Sequence, residues 1–249
     1  MKVEGKNAIQ ELINSGREIT KVLVQDTSVN NDATKKMIAY LKQKGVRVET
    51  VSKQQLDRES KTGFNNGIIA FTKDIEFSSV DDIISYAKSR QEDPFIVLVD
   101  EVSDPHNLGS IIRICEGAGV HGIVIPQNRS CPINETVVKV STGAIFNMRI
   151  ARVTNLNDAI RYIKKQNIFV YSMEANGQSI YKTNLTGAIA MVVGSEGFGV
   201  SKLTKDLSDG IVSLPMNGKI NSLNASVACG ICVYEAVRQR LKWAIKMNF

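Results

Sequence analysis

The sequence predicts an α/β protein made of a small N-terminal α/β unit and a larger domain built on a parallel sheet. Two observations carry this reading. Unbroken apolar runs such as FIVLVD (95–100), HGIVIP (121–126) and AIAMVVG (188–194) alternate with helix-like segments, and strands with no polar side belong to parallel sheets covered on both faces. Residues 1–73 read as a small unit in which helices and strands also alternate.

Taken in order, NAIQELINSG (7–16) reads as a short helix closed by glycine and EITKVLVQ (18–25) as a strand. DATKKMIAYLKQKG (32–45) is an amphipathic helix, with Asp32 near its start, Met37 and Leu41 four apart, and Gly45 as its stop. VRVETV (46–51) and GIIAFT (67–72) are strands separated by the polar segment SKQQLDRESKTGFNN (52–66). Residues 74–93 read as a linker with one helix, SSVDDIISYAKSR, whose serines and Asp81 can cap it. The second domain, 94–249, runs FIVLVD as strand, NLGSIIRICEGAG as helix and HGIVIP as strand, then INETVVKVSTGA as helix and MRIARV as strand. LNDAIRYIKKQ is a helix, IFVYSME and AIAMVVG are strands, SKLTKDL is a helix and GIVSLPM a strand, before a closing helix from about Asn224 to Ile245.

The 249 residues, 43% of them apolar, suffice for two modest cores. No apolar run approaches the ~18–20 residues of a membrane span. The opening MKVEGKNAIQEL lacks the apolar stretch of a secretion signal, so a soluble cytoplasmic protein without membrane contact is expected. Cys229 and Cys232 have CxxC spacing but lie in a helix pattern with no second pair and only two histidines in the chain; core thiols are expected, and no metal. Of the net charge of +6, residues 1–73 contribute most, with 13 Lys and Arg against 8 Asp and Glu. A basic first unit suits a polyanion such as RNA, or is simply a lysine-rich solvated surface.

Three loops fall where ligands bind in parallel sheets, beyond the carboxyl ends of strands. In DPHNLGSIIR (104–113), Pro105 holds the loop open, Asn107 can cap the helix and Gly109 permits close approach. Arg113, amid Ile111, Ile112 and Ile114, needs an acidic partner from the protein or from a ligand. In MVVGSEGFGVS (191–201) the glycines run GxxGxG with Glu196 among them. A dinucleotide loop reads GxGxxG, and a phosphate cradle avoids a carboxylate, so Glu196 favours a cationic or neutral ligand; a tight turn with a capping acid is the simpler alternative. IVSLPMNGKINSLNASVA (211–228) carries Asn217, Gly218 and Asn221 before a helix starting near Ser222 to Asn224. Its small polar groups suit a ribose or adenosine edge, or helix capping alone.

Together NLGSIIR, VVGSEGFGVS and LPMNGKINSLNASVA resemble, in order and spacing, the motifs of the SpoU/TrmH family of the SPOUT superfamily, AdoMet-dependent RNA ribose 2′-O-methyltransferases. VEGKNAIQELINSG and LDRESKTGFNNGIIAF are similar to segments of the substrate-binding domain of its ribosomal RNA branch, except that Asn65 and Asn66 stand where that branch has His-Gln.

The resemblance implies a SPOUT methyltransferase domain with a C-terminal trefoil knot, preceded by an RNA substrate-binding domain over 1–73. It implies S-adenosylmethionine as cofactor, held by backbone groups at Gly194, Leu214 and Leu223, and catalytic positions at Asn107, Arg113, Glu196, Ser222 and Asn224. Either Arg113 or Glu196 is expected to help the ribose hydroxyl lose its proton, and Asn107, Ser222 and Asn224 to orient groups by hydrogen bonds. It further implies ribosomal RNA, as a guanosine of the large subunit, for substrate, and a homodimer through the C-terminal helix, where Val227, Ile231, Tyr234, Val237, Leu241 and Ala244 share one face. Transfer RNA is the alternative substrate, and an RNA-binding protein without catalysis the alternative class.

Overall fold

The computed structural model describes residues 1–247, with side chains to Leu241 save that of Asn30. It has two compact units, one formed by Met1–Glu76 and Ile133–Asn147, the other by Phe77–Pro132 and the chain from Met148 onward.

The first unit runs β1 (Lys2–Glu4), α1 (Lys6–Asn14), β2 (Ile19–Gln25), α2 (Asp32–Gln43), β3 (Arg47–Val51), α3 (Lys53–Glu59) and β4 (Ile68–Thr72). Its sheet has the order β1-β4-β2-β3, with β4 antiparallel to both neighbours and β2 parallel to β3. Helix α3 lies in the polar segment between two strands, to which no element is assigned from the sequence. Ser52 and Gln55 form a reciprocal capping box, and Leu56 packs on Leu23 and Ile69. Glu4, buried at the end of β1, accepts from Ser60 Oγ at 2.7 Å and from the amide of Lys61 at 2.5 Å. Burial alone would push its carboxyl up, but these bonds and those from Thr62 together hold it below the ordinary carboxylate range. Asn65 donates to Asp57 at 3.0 Å and accepts from Gly67 N at 2.9 Å, while Asn66 takes φ +51°, a conformation asparagine tolerates. The two asparagines thus build the turn into β4.

The second unit opens with α4 (Val80–Ser89), β5 (Phe95–Val99), α5 (Pro105–Gly117) and β6 (Gly122–Pro126). The chain then contributes α6 (Glu135–Val140) to the first unit, where Gly143, at φ +87°, lies so close to Ala8 that a Cβ would come within 3.0 Å of its Cα. It resumes with β7 (Ile150–Val153), α7 (Leu156–Lys165), β8 (Phe169–Ser179), β9 (Ile189–Val193), α8 (Lys202–Leu207), β10 (Gly210–Ser213) and α9 (Ala225–Met247). All strand pairs in the β10-β8-β9-β5-β6-β7 sheet are parallel, and central β5 and β9 are buried along their whole length, as their unbroken apolar sequences require. Ile96, Leu98, Val124, Ile160 and Val192 belong to the core, which Val80, Ile83 and Ile84 of α4 join. The stretch read as a linker therefore supplies core. Its cap is Ser79 paired with Asp82, not Asp81.

The entry to β5 is fixed by His121, whose Nδ1 accepts from Phe95 N at 3.0 Å and whose Nε2 lies 2.9 Å from Glu92. The first bond requires a neutral ring with the proton on Nε2. Burial lowers the imidazole's pKa, outweighing the upward pull of Glu92. A histidine kept neutral by folding is protonated first in the unfolded chain, so its contribution is complete above about pH 6.5 and declines as pH falls toward the lower folded value. Denaturant unfolding midpoints should therefore fall on acidification below about pH 6.5. His121→Leu should remove that part of the slope while costing ~1–3 kcal/mol through the stranded Phe95 amide.

Candidate active site

The loop after β9 gives each of its glycines a different physical status. A Cβ on Gly194 would lie 2.1 Å from the carbonyl carbon of Gly199 and 2.3 Å from Val200 N, so main chain passes directly against main chain there. Gly199 sits at φ +66°, and a Cβ on it would meet the Glu174 carboxylate at 2.4 Å. Gly197 meets nothing and does not adopt the left-handed conformation. Ser195 and Gly199 exchange backbone hydrogen bonds at 3.1 and 3.0 Å, closing the loop on itself.

Two carboxylates beneath the loop fix where it leads. Glu174, from β8, accepts from Val200 N at 2.6 Å with the Lys205 ammonium at 3.6 Å. Asp100, buried just past β5, accepts from Ser201 N at 2.9 Å. Neither was singled out in the sequence. The weak signal was an acid directly after an apolar strand, without any indication of what it would hold.

Asn224 joins the three motifs. Its carbonyl oxygen accepts from Ser226 N at 3.0 Å, Ser226 Oγ at 2.7 Å and Val227 N at 3.2 Å, capping α9. Its amide donates to Asn107 Oδ1 at 2.9 Å and to the Glu196 carboxylate. Glu196 caps nothing, and its second oxygen has no partner among the described residues. Asn107 is not the cap of α5. Asp104 takes that place, accepting from His106 N at 3.1 Å with Pro105 in the first helical turn, and Asn107 is buried inside the helix.

Arg113 stands apart from this group. It lies six residues beyond Asn107, about 120° around the helix, and is exposed with no ion pair or hydrogen bond among the described residues. Of the two sources of an acidic partner, the protein or a ligand, the protein supplies none among the described residues. The isoleucines beside it turn inward, and the guanidinium stays in water.

Gly194, Glu196, Leu214, Ser222 and Leu223 line one cleft of ≈ 360 Å³, together with Glu174, Phe198 and Met216. Leu223 and Ser222 are exposed at its margin. The lining includes two carboxylates and no lysine, arginine or histidine, so its electrostatics favour a cation over a phosphate. Cys232 reaches the lining, and burial pushes its thiol up to about 12. Cys115, Cys131 and Cys229 are buried free thiols too, and no group of metal-ligating side chains forms among the described residues. No described helix is long and apolar enough to cross a membrane.

Residues 94–234 match the SpoU rRNA Methylase family, and residues 2–78 match a domain described as RNA 2′-O ribose methyltransferase substrate binding. The chain is 39% identical over 240 residues to a Bacillus subtilis protein named as TrmH family tRNA/rRNA methyltransferase YacO, covering 96% of this chain and 95% of that one. It is 38% identical over 205 residues to the Escherichia coli 23S rRNA (guanosine-2′-O-)-methyltransferase RlmB, covering 82% and 84%. The crystal structure of the SpoU methyltransferase AviRb from Streptomyces viridochromogenes, in complex with AdoMet, shares its fold, with a TM-score of 0.81 at 23% identity over 97% of this chain and 91% of that one.

The double duty of Asn224 separates two variants. Asn224→Ala loses the cap, and the unfolding free energy should fall by ~1 kcal/mol. Asn224→Asp keeps a capping acceptor but replaces the donor to Glu196 with a carboxylate. Its melting temperature should stay near wild type while amide hydrogen exchange across 195–200 accelerates.

Proposed function

The chain belongs to the SpoU rRNA methylase family, and from that premise we propose that it transfers a methyl group from S-adenosylmethionine to a ribose 2′-hydroxyl in RNA, its target a guanosine of large-subunit ribosomal RNA. The observation that carries this reading is the Asn224 amide, which draws Asn107 and Glu196 to one point beside the cleft. The relative named as a 23S rRNA guanosine-2′-O-methyltransferase supports the substrate.

The cleft fits the cofactor by chemistry and by size. Its ≈ 360 Å³ falls within the range of small-molecule sites, its lining mixes exposed main chain with Leu214, Met216 and Leu223, and its only charges are negative. S-adenosylmethionine supplies, when bound, an electrophilic methyl group on a cationic sulfonium. Gly194, Leu214 and Leu223 would hold it. The chain's own residues admit the ribose, orient its hydroxyl and accept its proton. Glu196 is the acceptor this geometry favours, because one of its oxygens is fixed by Asn224 and the other is available. The Arg113 guanidinium, exposed without a protein partner among the described residues, is suited to an RNA phosphate. Asn107, Asn224 and Ser222 orient the reacting groups.

The N-terminal domain, 1–73, is assigned to RNA binding by its excess of basic residues and its match to a substrate-binding domain. A homodimer through α9 belongs to the same reading. Cys229, Cys232, Val233 and Ala236 turn inward, while Val227, Ile231, Tyr234 and Leu241 form a stripe at 50%, 37%, 51% and 60% exposure. Val237 is half-buried, and Ala244 lies outside the described side chains. The C-terminal trefoil knot and a cytoplasmic location complete the proposal.

Purified protein, methyl-labelled S-adenosylmethionine and ribosomal RNA from a strain lacking the enzyme test it. Label at the 2′-oxygen of one large-subunit guanosine is expected; label confined to transfer RNA would replace the substrate assignment. Glu196→Gln and Arg113→Ala should each reduce single-turnover transfer by ~100-fold or more with cofactor affinity within a few-fold of wild type. Near-normal transfer by both would refute the catalytic roles. Sedimentation should give a dimer that Ile231→Asp converts to monomer.

A further inference from the structure

Phe198 is 92% exposed, the most exposed of the large apolar side chains among the described residues. It stands in a loop that is otherwise held tightly. Ser195 and Gly199 close the loop by reciprocal bonds, Ser195 Oγ accepts from Phe198 N at 3.4 Å, and Glu174 and Asp100 fix the exit at Val200 and Ser201. The ring therefore projects into water from a fixed backbone. An aromatic side chain left in that position forfeits a large part of its hydrophobic stabilisation, which fits a surface that is covered only when something binds.

Its neighbours point the same way. Both flanking residues are glycines, so no adjacent side chain crowds the ring. Gly199 has an internal reason, its left-handed φ and the Glu174 carboxylate. Gly197 has none: a Cβ there would meet nothing within 4 Å, and its backbone does not need a glycine. Glycine carries a conformational-entropy cost on folding, and here the fold gains nothing from it. What Gly197 keeps clear is open space at the cleft that it lines together with Glu196 and Phe198.

We propose that Phe198 is the stacking platform for the nucleobase of the target nucleotide, with Gly197 keeping the approach to the ring open. The proposal rests on the reading that Glu196 faces the ribose being methylated. A nucleotide whose sugar meets Glu196 brings its base to the neighbouring position, where the loop presents a flat apolar ring. Unpaired bases in RNA are commonly received on aromatic side chains in this way. Stacking tolerates every base, so Phe198 orients the nucleotide and does not by itself choose guanosine. Phe198 belongs to the cleft lining, but its ring is left in water while Val193 and Val212 of the same lining are buried, which argues against its covering the cofactor.

The test uses the full chain with ribosomal RNA from a strain lacking the enzyme. Phe198→Ala should raise the KM for RNA by about 5- to 150-fold, the scale of one lost aromatic–base stack, with the dissociation constant for S-adenosylmethionine and the melting temperature unchanged. Phe198→Tyr should restore the wild-type KM. Gly197→Leu should raise the RNA KM without lowering the melting temperature. An unchanged RNA KM in Phe198→Ala overturns the proposal. So does a parallel loss of cofactor affinity, which would make the ring a cover for the cofactor, or a change in sedimentation, which would make it a subunit contact. Absence of RNA methylation by the wild-type protein would instead refute the underlying function, and is read in the same experiment.

Discussion

One side-chain amide ties together the three segments that meet at the cleft. Asn224 starts α9 with its oxygen and holds Asn107 and Glu196 with its nitrogen, so the helix terminus and the acid are fixed by opposite ends of the same planar group. No isosteric residue can do both. Aspartate caps without donating, and leucine has the shape but neither function. The energetic scale of each bond is modest, ~0.5–1.5 kcal/mol. Their value lies in geometry, because they bring together residues 28 and 117 positions apart in the chain.

The glycine loop is organised on a different principle. Its shape comes from main-chain contact and from two carboxylates that accept amide hydrogens, so its outward surface is free for a ligand. A phosphate-binding loop directs its amides at an anion. Here amides at 200 and 201 are already taken by Glu174 and Asp100, and a third carboxylate, Glu196, faces the cleft. The result is a glycine-rich loop of inverted polarity, consistent with a cationic cofactor.

Much of the fold could be read in advance because burial on both faces of a parallel sheet leaves no choice of residue type: β5, β6 and β9 are apolar throughout. Helix α3 was hidden because its sequence, KQQLDRE, offers one buried residue in seven; only the Ser52/Gln55 box marked it. Asn107 looked like a cap because it precedes an apolar run, but Pro105 belongs in the first helical turn and thereby shifts the cap to Asp104. Arg113, set amid isoleucines, was expected to need an acidic partner, yet helical periodicity sends i and i±1 to different faces and leaves it exposed. Glu174 and Asp100 escaped notice because the amides they hold lie 26 and 101 residues away.

The contact at Gly194 constrains how this protein can change. When two side chains clash, trimming either one relieves the clash, so a harmful substitution can be rescued elsewhere. At Gly194 the opposing atoms are peptide carbon, oxygen and nitrogen of residues 199 and 200, and no substitution anywhere removes a peptide group. The position has no compensating partner, and drift through alanine is closed to it. Gly197 is sterically open within the fold, so any restriction there must come from what binds and not from the chain.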